Sequence, residues 1–346
     1  MKKRTFLAAL AATTMLTAAP GLAADWDGPT TGPAAAEGKS IVVVAGDLKN
    51  GGILGVTEGV EEAAARIGWE VRVLDGAGSI QGRTGAIGQA LALQPDGIII
   101  NGFDAVEQQA ALEGVVSASI PMVAWHSGPK IGCDAPGGIF ANVSTDAMTV
   151  SEVAAKWALE DGGEEIGVVI FTDSTYQIAI DKADRLKETV EAAGGTVLEY
   201  VDTPIADTSS RMGPLTTSLL QKYGDSWTHA LAINDLYFDF MGPSLAAAGL
   251  APEKGPQAGS AGDGSEAAFQ RIRSGGYQAI TVAEPLNLQG WQLVDELNRA
   301  IQGEACSGYV TAPALVTAEG LAKLGDGNAF DPDIPYREAY AEIWGK

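Results

Sequence analysis

The chain has 346 residues, which fits about two domains of ordinary size, and its hydrophobic content of 46% is sufficient for two buried cores. Its formal net charge of −22 at pH 7 would repel phosphate backbones and anionic headgroups, so the charge argues against nucleic-acid-binding functions. The same charge disfavours an anionic ligand unless cations line its site.

The first 24 residues have the composition of a secretory signal peptide. Three cations at positions 2–4 precede an apolar stretch at 6–19, and small residues allow cleavage after Ala23 or Ala24. The apolar stretch is too short for a comfortable membrane span, and no cysteine follows it at which a lipid could be attached. We therefore expect an exported, mature chain with a formal net charge of −25, because the segment carries three cations and no anion.

The next segment leads into a β-α-β unit. Residues 25–39 are rich in glycine, proline and alanine, which predicts a flexible leader. Residues 41–45 form a short, apolar, β-branched run that is typical of a strand buried on both faces. After a polar, glycine-rich loop at 46–52, apolar residues at spacings of three and four predict a helix that Gly68 ends. Residues 70–74 begin another strand, and open α/β sheets bind ligands at the carboxyl ends of such strands.

The same pattern returns from residue 166. From the start of the strand to the glycine that ends the helix, the first copy takes 27 residues and the second takes 28. Each copy continues with a strand, an aspartate (Asp75 or Asp202), a helix, and a strand that ends in Asn101 or Asn234. A repeat of this length predicts two similar lobes rather than one large sheet. Chance periodicity in an α/β chain is the alternative.

The predicted fold class is therefore α/β, with two Rossmann-like lobes that each consist of a parallel sheet flanked by helices. Extended segments at 139–145 and 312–316 are candidate crossings between the lobes. The helix after Pro285 has no place in the second copy of the repeat, so we expect it to return to lobe one. The predicted boundaries are residues 40–142 and 285–312 for lobe one, and residues 143–284 and 313–346 for lobe two.

Several short segments, taken together, resemble the periplasmic sugar-binding proteins of ABC importers, most closely the ribose-type group. The resemblance covers almost all of the mature chain and depends on the order and spacing of its segments. It implies a type I periplasmic binding fold, a three-strand hinge, and a sugar clamped between the lobes. The lac-repressor family shares this fold but would need a helix-turn-helix and a basic face. The segments are INGFD at 100–104, IPMVAWH at 120–126, VSTD at 143–146, AIND at 232–235, Asp263-Gly264 followed eleven residues later by Gly275, and VAEP at 282–285.

The resemblance implies that Asp263 accepts hydrogen bonds from adjacent sugar hydroxyls, a task that suits an ionised carboxylate with two acceptor oxygens. Asn234, at the end of a lobe-two strand, and Asn50, in the first loop, carry amides that can donate to and accept from hydroxyls. For these three residues the alternative is a turn-forming role. Asp47 in the first loop is a further candidate. Glu284, at the crossing back to lobe one, is a second candidate carboxylate, with a hinge hydrogen bond as its alternative.

Trp125 and His126 end a lobe-one strand. Ribose-type proteins carry an Asp-Arg pair about there, where this chain has His126-Ser127. This departure changes the expected polar contacts and leaves the identity of the sugar open. The arginine that the family carries on the first lobe-two helix also has no match, although Ile180 or Lys182 falls near its position. Tyr176, in the second loop, could present a flat face to sugar C–H groups or could simply pack.

The two cysteines are candidates for a disulfide. Cys133 follows the strand that ends in Trp125 and His126, and Cys306 follows the helix that returns to lobe one. Both should lie in lobe one, and the periplasm is oxidising, so we predict that they are bridged. Two free, buried thiols are the alternative.

The sequence as a whole predicts a periplasmic solute-binding protein of an ABC transporter. It would bind a small neutral monosaccharide or sugar alcohol by hinge closure and deliver it to the permease's transmembrane subunits. We expect a monomer with no cofactor, no metal site, no catalytic residue and no nucleic-acid partner. The chain has only two histidines and lacks G-x-S-x-G, H-E-x-x-H and P-loop motifs. The alternatives are a periplasmic carbohydrate-acting enzyme and a chemoreceptor-coupled sugar sensor.

Overall fold

The computed structural model of the chain describes residues 26–128, 130–324, 327 and 329–346. The signal peptide predicted over residues 1–24 lies outside these residues. Among the helices that are described, none is both long enough and apolar enough to cross a bilayer.

Lobe one is a six-stranded sheet flanked by helices. Its strands are β1 (Ser40–Ala45), β2 (Glu70–Asp75), β3 (Gly97–Asn101), β4 (Met122–Trp125), β5 (Gly132–Ala135) and β6 (Ile139–Val143), and its first helices are α1 (Gly51–Ile67), α2 (Ile80–Leu93) and α3 (Gln109–Ser117). The spatial order of the strands is β2-β1-β3-β4-β6-β5. Neighbours run parallel, except that β5 and β6 pair antiparallel.

Lobe two repeats this design. Its strands are β7 (Gly167–Thr172), β8 (Thr196–Asp202), β9 (His229–Ala232), β10 (Gln257–Ser260), β11 (Gln278–Ala283) and β12 (Ala314–Thr317), and its helices are α4 (Ala147–Gly162), α5 (Gln177–Ala192), α6 (Thr208–Tyr223), α7 (Leu236–Ala247), α8 (Glu266–Arg273) and α10 (Ala318–Leu324). The spatial order is β12-β11-β10-β9-β7-β8, and only β12 runs antiparallel to its neighbour.

The two sheets confirm the prediction of two similar lobes. The order β2-β1-β3-β4 in lobe one has the same topology as β8-β7-β9-β10 in lobe two. β7 is buried along its whole length and β1 is buried from its second residue onward, as expected for central strands covered by helices on both faces. α1 begins with a side-chain cap from Asn50 and ends at Gly68 in the left-handed conformation (φ 75°).

The chain passes between the lobes in three places within the described part of the molecule. Residues 144–146 join β6 to α4, residues 284–285 join β11 to the helix α9 (Leu286–Gln302), and residues 303–313 join α9 to β12. As predicted, α9 returns to lobe one, where it packs closely on α1. A side chain at Gly290 would place a Cβ 2.5 Å from the backbone nitrogen of Val60, so glycine is required at this approach.

The terminal helix α11 (Tyr336–Trp344) corrects one predicted boundary. The sequence assigned residues 313–346 to lobe two, but this helix packs in the core of lobe one. Three aromatic residues at intervals of four line one face of α11 and surround Trp291 of α9. The ring centroids of Tyr336, Tyr340 and Trp344 lie 5.9, 6.4 and 5.4 Å from that of Trp291. The aromatic face of α11 packs around Trp291 of α9, which places the terminal helix in lobe one.

The segment before β1 corrects a second prediction. Residues 26–39 do not form a flexible leader, because lobe one holds them along an extended path. The side chains of Asn298, Arg299 and Trp69 donate hydrogen bonds to carbonyl oxygens of the segment at 3.1, 2.6 and 2.7 Å. A segment without regular structure needs such partners for its backbone, and composition alone does not reveal donors so distant in the sequence.

A disulfide joins Cys133 to Cys306, as predicted, with a Cα–Cα distance of 5.8 Å. Cys133 lies on β5, in the antiparallel hairpin, and Cys306 lies in the third crossing segment, just after α9. The bridge therefore fastens the beginning of that crossing to the sheet of lobe one.

We expect the Cys133→Ser/Cys306→Ser double variant to unfold at a lower denaturant concentration than the wild type. The two cysteines are 173 positions apart, and the chain-entropy treatment gives about 5 kcal/mol for a loop of this size, as an upper value. Guanidinium unfolding with and without reductant measures the effect. Reductant should lower the wild-type midpoint and leave that of the variant unchanged. Equal midpoints in all four samples would contradict the prediction.

Candidate ligand-binding site

A cavity lies between the lobes, at the carboxyl ends of the parallel strands of both sheets. It holds about 630 Å³ of empty space, counted to its opening to solvent. Seven of the eight predicted site residues line it. The lining residues are Asp47, Asn50, Ile53, Gly78, Gly102, Trp125 and His126 from lobe one, and Tyr176, Ile178, Ala179, Lys182, Ile205, Ala206, Ile233, Asn234 and Asp263 from lobe two.

The loop between β1 and α1 brings Asp47 and Asn50 to the cavity. The Oδ1 atom of Asn50 accepts hydrogen bonds from the backbone N–H of Gly52 and Ile53 at 2.8 and 3.3 Å, which caps α1. The amide NH₂ of Asn50 remains as a donor at the cavity wall. Asn50 thus combines the structural role with a position suited to a ligand, and the two readings do not exclude each other.

The loop that carries Asp263 is held by a residue that the sequence analysis did not single out. Oδ2 of the buried Asp235 accepts hydrogen bonds from the backbone N–H of Asp263, Gly264 and Ser265 at 3.2, 2.8 and 2.9 Å. Its Oδ1 accepts one from Gln278 Nε2 at 2.7 Å. The only signal in the sequence was an acidic residue directly after Asn234, and its partners lie about 30 to 40 positions further along the chain.

Glu284 lies behind the cavity wall and does not line the cavity, so the prediction that it contacts the ligand is not supported. Its side chain is fully buried. Its Oε2 lies 3.0 Å from His126 Nε2 and accepts hydrogen bonds from Gln289 Nε2 at 3.1 Å and Thr145 N at 3.3 Å. Thr145 belongs to the first crossing, so the alternative reading of Glu284 as a hinge residue fits the geometry better.

Lys182 supplies the positive charge that the sequence analysis could not assign. The residue lies on α5, is almost fully buried, and lines the cavity near the position where the family carries an arginine. Its Nζ is 3.6 Å from Oε1 of Glu284. Because its charge is opposed by a buried carboxylate, Lys182 does not turn the cavity into a site for anions.

The buried charges change the pKa values of the two carboxyl groups in opposite directions. Burial raises the pKa of Glu284, but the charges of His126 and Lys182 and the hydrogen bonds from His126 and Gln289 outweigh it and hold that pKa below its usual value. Within the described ranges, no side chain or backbone N–H donates a hydrogen bond to the carboxylate of Asp263. Burial raises the pKa of Asp263 to about 6, against the attraction of Lys182 and His126.

Ligand atoms of His126, Asp263 and Glu284 lie within 4.8 Å of one another, a spacing that a metal ion could bridge. The ammonium group of Lys182 already provides a cation beside Glu284, 3.6 Å from its Oε1. A divalent cation would be repelled by that group, so the geometry favours a hydrogen-bonding site over a metal centre.

Aromatic rings form part of the cavity wall in each lobe. In lobe one the rings of Trp125 and His126 are stacked, 3.7 Å apart between centroids and inclined by 8°, and Trp125 Nε1 donates a hydrogen bond to Gln289 Oε1 at 2.8 Å. In lobe two the hydroxyl of Tyr176 accepts a hydrogen bond from Arg83 Nη1 at 2.9 Å. Arg83 lies on α2, and no pattern in the sequence marks it as a residue of the site.

The two lobes are in direct contact beside the cavity, so the structure is a closed form. A Cβ at Gly51 would lie 2.5 Å from Ser265 Cβ, and one at Gly52 would lie 2.7 Å from Asp263 Cβ. Side chains larger than glycine at the start of α1 would therefore hold the lobes apart. The glycines of the first loop make full closure possible.

A model of the family described as "Periplasmic binding protein domain" matches residues 41–305. A search of curated proteins found no match. Among solved structures, an ABC transporter solute-binding protein from Agrobacterium vitis with bound allitol is 18% identical, with 83% of this chain and 98% of that chain covered and a TM-score of 0.71.

Two further solved structures are similar to this chain. A sugar ABC transporter protein from Yersinia enterocolitica is 16% identical, with 92% of this chain and 99% of that chain covered and a TM-score of 0.73. A periplasmic solute-binding protein from Actinobacillus succinogenes with bound D-allose is 19% identical, with coverages of 82% and 99% and a TM-score of 0.71. At these identities the structures support the fold, and the family match spans most of the sequence. The chain belongs to the periplasmic binding protein family.

Proposed function

We propose that this protein captures a small neutral monosaccharide or sugar alcohol and delivers it to the transmembrane subunits of an ABC importer. The observation that carries the proposal is the interlobe cavity, whose polar lining is suited to hydroxyl groups. Asp263 can accept hydrogen bonds, while the amides of Asn50 and Asn234 can both donate and accept. The polyol allitol and the sugar D-allose are bound by two of the structurally similar proteins, which supports the same ligand class here.

Binding would proceed by hinge closure. Lobe one contributes Asn50 and His126, and lobe two contributes Lys182, Asn234 and Asp263. A ligand that contacts both lobes binds the closed form more tightly than the open form, so it shifts the population toward closure. The permease would then distinguish the closed, loaded form from the open one.

The proposed location is the periplasm, after removal of residues 1–24, and the proposed state is a monomer. We further propose that the protein binds its ligand without changing it. The test is to denature the loaded protein and analyse what is released. Recovery of the unchanged ligand supports a binding protein, and recovery of a converted product would instead support a carbohydrate-acting enzyme.

The first experiment is a thermal-shift screen across pentoses, hexoses and their alditols. A ligand that binds only the folded protein raises the melting temperature by mass action, and its identity follows from the largest shift. At a ligand concentration of about 100 times Kd the stabilisation is about 2.7 kcal/mol, which such a screen resolves easily. The absence of any shift across the panel at millimolar concentrations would overturn the proposal.

We expect uncharged polyols to bind more tightly than sugar phosphates or sugar acids. The protein has a formal net charge of −22, and the cation at the cavity wall, Lys182, is opposed by Glu284 at 3.6 Å. Calorimetry with a neutral sugar and its 6-phosphate or uronic acid provides the comparison. If the phosphate bound more tightly than every neutral candidate, the charge argument would be wrong.

We expect Asp263→Ala to lower ligand affinity by about tenfold to a hundredfold, because charge-assisted hydrogen bonds contribute roughly 1.5–3 kcal/mol each. Asp263→Asn keeps the shape and should lose only part of the affinity. Calorimetry and thermal melting of both variants measure the effect. If Asp263 serves only as a turn residue, Asn should restore nearly full binding and Ala should mainly lower the melting temperature. Unchanged affinity in a folded Asp263→Ala protein would remove this residue from the site.

We expect ligand affinity to decrease below about pH 6, by up to about tenfold per pH unit, because the pKa of Asp263 is raised to about 6. Ligand hydroxyls donate to the ionised carboxylate, so the ligand binds that form preferentially. The groups that face Asp263 are Lys182 and His126, which favour its charge, and Glu284 and Asp235, which oppose it.

The stability of the ligand-free protein should change in the opposite direction. The pKa of Asp263 is higher in the folded protein than in the unfolded chain, so its contribution to stability increases as the pH falls from about 7 to about 4. Calorimetry and thermal melting over this range separate the two effects. Asp263→Asn is the control and should bind with a flatter pH profile. Parallel loss of affinity and stability in the wild type would indicate general acid unfolding instead.

A further inference from the structure

Arg83 on α2 forms a fixed cationic group within lobe one. Its side chain is almost fully buried, and its Nη2 donates hydrogen bonds to both carboxylate oxygens of Glu107 at 3.0 and 2.9 Å. Its guanidinium carbon also lies 5.9 Å from the ring centroid of Phe103. All three residues belong to lobe one, so this arrangement does not need lobe two in order to form. The guanidinium is preorganised, and little side-chain entropy remains to be lost when another group binds it.

The remaining face of this guanidinium contacts lobe two. Nη1 of Arg83 donates a hydrogen bond to the hydroxyl of Tyr176 at 2.9 Å, and the guanidinium carbon lies 5.7 Å from the centre of the tyrosine ring. Neither residue belongs to a crossing segment. The contact therefore depends on how far the lobes are closed, and rotation of lobe two about the hinge would break it.

Tyr176 takes part both in this interlobe contact and in the lining of the ligand site. It lies at the start of α5 and lines the cavity, and its side chain makes no capping hydrogen bond to that helix. Burial raises the pKa of Tyr176, so its phenol keeps its proton at neutral pH. The hydroxyl can then accept from Arg83 and still donate to a ligand hydroxyl. The hydrogen bond from Arg83 thus orients a side chain of the cavity wall.

We propose that Arg83 is a positioning residue that binds Tyr176 across the cleft, and that this bond stabilises the closed form before the ligand adds its own contacts. Glu107 holds the guanidinium ready in lobe one, and Tyr176 reaches it only on closure. The inference rests on the hinge closure of the proposed function, but it does not require the ligand to be a sugar. The binding site would then be partly preformed in the free protein, which lowers the cost of closure that the ligand must offset.

The test measures the distance between the lobes in the ligand-free protein. One spin label is attached to Glu113→Cys in α3 and the other to Ser218→Cys in α6, both at exposed positions. Pulsed electron paramagnetic resonance then measures the distance between the two labels. The native cysteines are bridged and do not compete for the label. The variants are Tyr176→Phe and Arg83→Met, each in the labelled background. Tyr176→Phe is the decisive one, because it removes the interlobe hydrogen bond and leaves Arg83 and Glu107 paired within lobe one.

Two substitutions provide matched controls. Tyr200→Phe removes a phenol hydroxyl from lobe two that donates to Asp184 at 3.0 Å, away from the cavity lining. Arg337→Met removes a guanidinium from lobe one that pairs with Glu62 and Asp331. Both controls delete the same chemical groups and should leave the interlobe distances as they are in the wild type.

We expect the ligand-free wild type to contain a closed population. In Tyr176→Phe the ratio of open to closed forms should be about tenfold higher, because one hydrogen bond to a charged group is lost. In the Arg83→Met background, Tyr176→Phe should cause little further change, because the same bond is already absent. Three results would overturn the proposal: a wild type with no closed population, unchanged distances in Tyr176→Phe, or effects of the two substitutions that add. None of these results depends on the sugar screen, so the proposed ligand class could fail separately.

Discussion

One carboxylate, that of Glu284, is fully buried at the second crossing between the lobes, where side chains of both lobes meet it. An isolated carboxylate in a protein interior costs several kcal/mol unless partners compensate its charge and hydrogen bonds. Here the partners come from both sides of the cleft: the ring of His126 in lobe one lies 3.0 Å from the carboxylate, and the ammonium group of Lys182 in lobe two lies 3.6 Å from it. The charge at the hinge is therefore best compensated when the two lobes are close together.

A second layer of polar contacts gives the cavity its shape. Asp235 does not line the cavity, yet its carboxylate accepts hydrogen bonds from three consecutive backbone N–H groups in the loop of Asp263. Gln289 connects Trp125 to Glu284 in the same way, since its amide accepts from one and donates to the other. Such hydrogen-bond networks restrict side chains to one geometry, which a site for a small polar ligand requires.

The two lobes share a topology but are not reinforced equally. Lobe one receives α9, the terminal helix α11, the segment at 26–39 and the disulfide, all of which lie around the same helix–sheet interface. In lobe two, α4 packs on α5 as α9 packs on α1, but the described residues contain no counterpart of α11, of the segment at 26–39 or of the disulfide. The disulfide holds the start of the third crossing to lobe one, and hydrogen bonds from α9 to Tyr309 and Thr311 hold the residues that follow.

The sequence by itself determined the α/β class, the two lobes and seven of the residues at the cavity, because these depend on local patterns. Buried strands, amphipathic helices and the glycines that end them recur at a fixed spacing, and the residue that ends a parallel strand necessarily lies at the carboxyl edge of the sheet. The prediction of Asp263, Asn234 and Asn50 at one cavity follows from that edge and from the resemblance to the family.

Only the tertiary structure decided which of the polar residues face the cavity and which support it. Glu284 is buried behind the cavity lining, Lys182 supplies a cation at the cavity wall, and Arg83 reaches a tyrosine 93 positions away. The N-terminal segment is held by Asn298, 265 positions from its partner Pro33. Contacts of this kind leave no periodic signal in the sequence, because they depend on where two separately folded elements meet and on which buried charge needs a partner there.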